Sequence, residues 1–333
     1  MPVYQNNSNS SDYQQALISF SFYLTEGILQ FISNAVIIAV ILINKPLQRK
    51  EYVIPCGLAI AECVLGFALT QNATWRIYVI LTDQVNMLQT PWECMRLPFV
   101  QMLIYSAYAV PTMLVVLSLD RLYACISIKS YYKLRKAQYI QVVIAGFTVC
   151  AVFLAWDVLD NYTGPQDRTL QKFCFTTSAL SYLHRWTHFG YAALGATVCV
   201  ILYVTALIAF QQFHAETLTT QLQAFKERQL KVTKTLTLVI GFTFVLYTIP
   251  SVLNFISNIT TNVTFAKMGP FLFSMANLNS VNNIVIYMVK NLEMRAAVLK
   301  LITGKRYRGQ TEAVAPASTK VNQTWRQRET VAH

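Results

Sequence analysis

Long stretches of this chain carry no Asp, Glu, Lys or Arg, and the charged residues gather in the short segments between them. Uncharged runs cover 27–44, 97–119, 137–156, 186–213, 235–266 and 268–289. A seventh run, 52–75, is broken only by Glu62. A helix that crosses a bilayer needs about 20 consecutive, mostly apolar residues, and each run is near or above that length. The pattern predicts seven spans at about 16–43, 52–79, 97–121, 138–159, 187–211, 233–257 and 268–289. The fold class expected is an all-α membrane protein: a seven-transmembrane helix bundle with a short amphipathic cytoplasmic helix after the last span. A soluble helical protein built from so many apolar helices would have no polar surface left to face water.

Composition agrees. The chain has 333 residues, 54% hydrophobic and 13% charged, where soluble domains carry about 25% charged residues. The net charge of +12 is broken up by the apolar runs, which no nucleic-acid surface requires, so nucleic acid is not an expected partner.

The basic residues are distributed unevenly. Of 27, six lie on the side of the N-terminus and the loops 79–96, 160–186 and 258–267: Arg76, Arg96, Arg168, Lys172, Arg185 and Lys267. The rest lie on the other side, which should therefore be cytoplasmic. The acceptor triplet Asn-x-Ser/Thr, which is glycosylated only outside the cell, agrees: Asn6, Asn9, Asn161, Asn258 and Asn262 fall on the sparse side. Asn72 is too deep in its span, and Asn322 is in the cytoplasmic tail. The expected location is the plasma membrane, multi-pass, with the N-terminus extracellular and the C-terminus cytoplasmic. No cleavable leader is evident. The acids Asp12 and Glu26 come before the charge-free part of span one, and Lys45, Arg49 and Lys50 follow it, so that span reads as its own insertion signal. The domains expected are an extracellular N-terminus (1–15), the receptor-like membrane domain (16–302, with an amphipathic helix at 290–302) and a disordered cytoplasmic tail (303–333).

Of seven cysteines, Cys94 and Cys174 lie on the oxidising side, where a disulfide would tie the top of span three to the second outer loop. The other five suit small buried apolar residues. Glu62 reads as the one acid deep within a span, where charge is rare and functional. It is expected in a polar core with Asn34, Asn279, Ser280 or Asn283, either neutral or holding Na⁺ or H⁺. Asp120 and Arg121 sit together at the cytoplasmic end of span three. There Asp120 can hold the guanidinium until a partner claims it.

The stretches "SNAVIIAV", "LAIAE", "SLDRLYACI", "FVLYTIP" and "NSVNNIVIYMVKNLEMRAAVLKLI", in this order, resemble the rhodopsin-like G-protein-coupled receptors over residues 16–302. The divergent outer loops are similar to those of a nematode serpentine chemoreceptor of the Srsx class. The resemblance implies that Asp120, Arg121, Tyr203, Pro250, Asn283 and Tyr287 form the switch that meets a G protein. Asn34, Glu62, Asn279 and Ser280 would be the polar core, with a Na⁺ site near Glu62 and no other metal. Phe244 would match the span-six aromatic residue. Lys290 to Ile302 would be the amphipathic helix, with Leu292, Ala296, Leu299 and Ile302 on one face. The chain also departs from the family pattern: Leu122, Thr248 and Ile284 stand where a tyrosine, a tryptophan and a proline are usual.

The ligand pocket expected is apolar and aromatic: Leu103, Ala107, Tyr108, His188, Tyr191, Ser251, Phe255, Phe273 and Asn277. No acid stands near Leu103 for an amine, and no lysine near Asn277 for a retinal-type Schiff base. The expected function is a receptor for an extracellular ligand, a small molecule or odorant rather than a peptide. It would activate a heterotrimeric G protein through outward movement of span six, with arrestin and membrane lipid as further partners. The alternatives are a seven-span neuropeptide receptor, a transporter or channel using Glu62, and a non-signalling scaffold. No enzyme and no cofactor are expected, since the four histidines make no metal spacing and no nucleophile–base set occurs.

Overall fold

The computed structural model describes residues 10–212, 237, 241–260, 263–290 and 292–303. Five of its helices are long and apolar enough to cross a membrane, among the described residues. The spans are the helices Ser10–Ile43, Val53–Leu81, Pro98–Ile126, Lys136–Thr163 and Tyr182–Gln212. Residues 241–260 form the described part of the sixth, and Val263–Lys290 forms the seventh. A shorter helix, Leu292–Thr303, follows.

Span three is the axis of the bundle: 61% of its most apolar window is buried, against 11% for span four. Span three packs along spans two, four and five, and span one packs along spans two and seven. Ile104, Tyr108, Met113, Leu114 and Leu117 fill the centre. Ile18, Leu42, Val152, Leu194, Ile201 and Val289 are exposed on the outside. In water such a surface would favour association, whereas acyl chains are a fitting solvent for it.

Two glycines set the tightest crossing. A Cβ on Gly66 would lie 2.6 Å from the backbone nitrogen of Phe31 and 3.0 Å from Gly27 O. One on Gly27 would lie 2.8 Å from Thr70 N. Only hydrogen fits there, so spans one and two meet backbone to backbone.

The outer ends are tied by local chemistry. Thr90 and Glu93 form a reciprocal cap: Glu93 N donates to Thr90 Oγ1 at 3.1 Å, and Thr90 N donates to Glu93 Oε2 at 2.9 Å. With Pro91 at the first helical position, this starts the short helix Pro91–Met95. The turn presents Cys94 to Cys174, and the two form a disulfide with Cα atoms 5.3 Å apart. Beside it Leu88–Gln89 pairs antiparallel with Leu170–Gln171. Span two holds the same loop: Trp75 Nε1 donates to Lys172 O at 3.1 Å, and Arg76 Nε donates to Phe173 O at 3.2 Å.

The inner ends are tied differently. Lys50 Nζ donates to the carbonyls of Tyr131, Tyr132 and Leu134 at 2.7, 3.0 and 3.2 Å. It thereby caps the negative end of the loop helix Ile128–Lys133. In the helix Leu292–Thr303, Met294, Ala297 and Val298 pack with Ile37, Val40, Ile41 and Leu47. This differs from the expected apolar face: Leu292 is 75% exposed. The helix therefore has an apolar side on the bundle, and Leu292, on the opposite side, is free for the inner leaflet.

Candidate functional site

Three polar centres stand along the bundle. The outer one lies among spans three, four and five. Tyr108 is buried; its hydroxyl donates to Asp157 Oδ2 at 2.9 Å, and Asp157 also pairs with His184 Nδ1. The ring of Tyr108 meets His188 and Tyr191 edge-on, at 5.5 and 5.4 Å between centroids, and stacks on Phe153 at 5.3 Å. Tyr191 shares a 2.7 Å hydrogen bond with Thr112. His188 is buried, and its Nδ1 has no hydrogen-bond partner among the described residues.

Of the expected pocket residues, Tyr108, His188 and Tyr191 thus come together. Leu103 is buried and Ala107 half-buried on the same helix. Phe255 meets Trp186 edge-on at 5.6 Å, and Ser251, four residues before it, is half-buried. Phe273 and Asn277 belong to another neighbourhood. Phe273 packs edge-on against Tyr23 of span one at 5.6 Å, and Asn277 is buried one turn further in.

The middle centre holds Asn34, Glu62, Asn279 and Ser280, all buried. Asn34 Nδ2 donates to Ser280 Oγ at 3.0 Å and to Gln30 O at 2.9 Å. Glu62 is not the one buried acid. Glu26 and Asp157 are buried as well, inside the helices Ser10–Ile43 and Lys136–Thr163. Both positions lie within the expected spans 16–43 and 138–159, where Glu62 alone reads as a deep acid.

The inner centre is the Asp120–Arg121 pair. Arg121 is fully buried; its Nε donates to Asp120 Oδ2 at 2.8 Å, its Nη2 contacts the same oxygen, and Nη2 donates to Tyr131 Oη at 3.2 Å. Tyr131 lies in the second inner loop, and burial pushes its phenol above the ordinary value. It therefore stays protonated, and its hydroxyl lies 3.5 Å from Asp120 Oδ2. Tyr203 of span five is buried and shares a 3.3 Å contact with Thr237 Oγ1.

Span six makes a π turn over Phe244–Thr248 directly before Pro250. The turn shifts the phase of the helix. Phe244 is consequently exposed and Tyr247 buried, so the inward aromatic of span six is Tyr247, not the Phe244 that the resemblance implied. Asn283 and Tyr287 lie in the seventh helix, but their side chains are outside the described residues.

Three polar centres thus stand along the bundle, with a disulfide from the top of span three to the second outer loop and a caged arginine at the foot of the same span. The family described as serpentine type 7TM GPCR chemoreceptor Srsx matches residues 27–302. The chain belongs to that family. It is a multi-pass membrane protein of the G-protein-coupled receptor type. Melanocortin receptor 4 of Danio rerio is 32% identical over 80 residues, covering 24% of each chain. The chain therefore spans about a quarter of the length of that curated relative.

Asn161 does not offer its amide to a glycan here: it is buried, and Nδ2 donates to Asp157 O at 3.0 Å. Asn6, Asn9 and Asn262 lie outside the described residues, as does the side chain of Asn258. The Asp157–His184 pair was missed because span five begins at Tyr182, five residues before the expected start, which takes His184 into the helix. A sequence signal existed: Asp157 and Asn161, one turn apart, put two polar groups on one face of an otherwise apolar helix.

Proposed function

We propose that this receptor sits in the plasma membrane with its N-terminus outside and binds a small extracellular ligand between its outer spans. The ligand then drives activation of a heterotrimeric G protein. The Lys/Arg asymmetry supports this orientation, and with it we propose the division into a short outer segment, the membrane domain and a cytoplasmic tail. Asn6, Asn9, Asn258 and Asn262 remain the glycosylation candidates.

One observation carries the reading. Arg121 is a permanent charge, fully buried at the cytoplasmic end of span three, and Asp120 and Tyr131 hold it. A buried charge needs its partners. Anything that draws Tyr131 and span six away frees the guanidinium for the backbone carbonyls of an entering helix. Pro250 and the π turn beside it break the ladder of span six and supply the hinge. Tyr203, Asn283 and Tyr287 are proposed to line the opened cleft.

The ligand would meet the aromatic cluster of Tyr108, Tyr191 and Phe255, with the unpartnered His188 Nδ1 as a neutral polar contact. It shifts the equilibrium only by binding the open state better than the closed one. Arrestin would engage the same opened face, and Leu292 and the basic inner loops would engage lipid. The test is a ligand screen on cells carrying the chain, read by calcium or cAMP, repeated with Arg121→Ala at equal surface expression. Unchanged ligand-stimulated nucleotide exchange in that variant sinks the reading.

A further inference from the structure

Spans one and seven run parallel and share a buried polar seam. Tyr23 Oη donates to Pro270 O at 3.1 Å, Ser274 Oγ donates to Glu26 Oε2 at 3.1 Å, and Asn34 meets Ser280 at 3.0 Å. Gln30 and Asn277 fall between the last two pairs by the same register.

Glu26 is 4% exposed, Gln30 0% and Asn277 3%. Among the described residues, Glu26 Oε1 and both side-chain polar atoms of Gln30 have no hydrogen-bond partner within 3.5 Å, and the Asn277 amide interacts with the Glu26 carboxyl. Glu26 and Gln30 are one helical turn apart, hence neighbours on one face. Among the described residues no Lys, Arg or His nitrogen comes within 4.0 Å of the Glu26 carboxylate. A carboxylate inside a membrane protein is costly unless neutralised. A cation would draw on the carboxylate and on the amide oxygen one turn away together.

We propose that this seam is a monovalent-cation site. Glu26 supplies the counter-charge, and Gln30 Oε1 and Ser274 Oγ supply neutral oxygens. Amide oxygen and nitrogen are interchangeable by a flip, so Gln30 can turn its carbonyl to the ion. A single carboxylate among neutral donors matches one positive charge; divalent ions ask for more. No group of three His, Cys, Asp or Glu that could bind a metal ion occurs among the described residues.

The site differs from the polar core. Gly27 lies against Thr70, which puts Glu26 near the level of Thr70. Glu62 is eight residues further in, about 12 Å along span two. Tyr23 and Phe273 close the seam from outside, ring edge to ring face. Such rings also suit an ammonium group. The occupant is thus either an inorganic ion or the ammonium of a ligand, and the chemistry is the same for both.

The purified full-length receptor in detergent is melted in the chlorides of sodium, ethylammonium and choline at equal ionic strength. The readout needs neither agonist nor G protein, so it stands or falls apart from the signalling reading. A higher Tm than in choline, in sodium or in ethylammonium, is expected for the wild-type chain and for Glu62→Gln, and its loss in Glu26→Gln. A gain in sodium identifies an inorganic ion; a gain in ethylammonium alone identifies a ligand ammonium. No gain in either salt, or a gain that survives in Glu26→Gln, overturns the site. Should both acids prove necessary, or Glu26→Gln fail to fold, Ser274→Ala decides. A raised half-maximal salt concentration supports the site, and an unchanged one overturns it.

Discussion

The Tyr108 hydroxyl on span three donates to Asp157 Oδ2 on span four at 2.9 Å, and the same carboxylate pairs with His184 on span five. One buried acid therefore joins three helices beneath the outer surface. Tyr108→Phe removes a donor from a buried carboxylate, at a cost of about 1–3 kcal/mol. Asp157→Ala is expected to cost more, about 3–5 kcal/mol, because it strands both partners. Thermal melts of the purified receptor measure both. If Tyr108→Phe melts with the wild-type chain, this tie does not hold the helices.

Asp120→Asn removes the charge that holds Arg121. Basal nucleotide exchange should rise, and Tyr131→Phe should raise it less, since Tyr131 offers the guanidinium a neutral hydroxyl and not a charge. Reconstitution with a G protein and labelled guanine nucleotide reads both. A fall in basal exchange in Asp120→Asn at full expression would contradict the cage.

Cys94→Ser and Cys174→Ser should each lower stability by about 2–5 kcal/mol, as for a native bridge. The double variant should be no worse than either single one, because the bond is lost once. Surface expression and melting of all three chains give the comparison.

Gly66→Ala drives a methyl to 2.6 Å from Phe31 N. The neighbour is backbone and does not yield, so spans one and two must part, at about 1–3 kcal/mol or more. Gly241→Ala is the control: among the described residues nothing lies within 4 Å of a Cβ placed there. It should be neutral or gain about 0.5–1 kcal/mol from helix propensity.

Several parts of this architecture were open to reading in one dimension. Cys94 and Cys174 could be paired because they alone sit in the outer loops. Arg121 could be singled out because a charge pair ends an apolar run. Glu26 was read as preceding the charge-free part of span one, and His184 as a loop residue, since each lies at the margin of a charge-free stretch. Only the extra helical turn at Tyr182 takes His184 inside; Glu26 and Asp157 lie within spans already expected, and helix packing buries them. The inward aromatic of span six was misplaced for a related reason: a π turn changes which residue faces in, and no residue type announces it.

By itself the amino-acid sequence determined that the chain is a stack of membrane helices, which ends carry the basic residues, and which arginine guards the inner end. These follow from the cost of placing charge and unpaired backbone in lipid, a cost paid locally, residue by residue. The tertiary structure alone decided which buried polar groups face each other: Tyr108 with Asp157, Glu26 with Ser274, Lys50 with the carbonyls after Tyr131. Partners 49, 248 and 81 positions apart are chosen by helix rotation and crossing, and those depend on contacts such as the one at Gly66 that periodicity along a single helix does not encode.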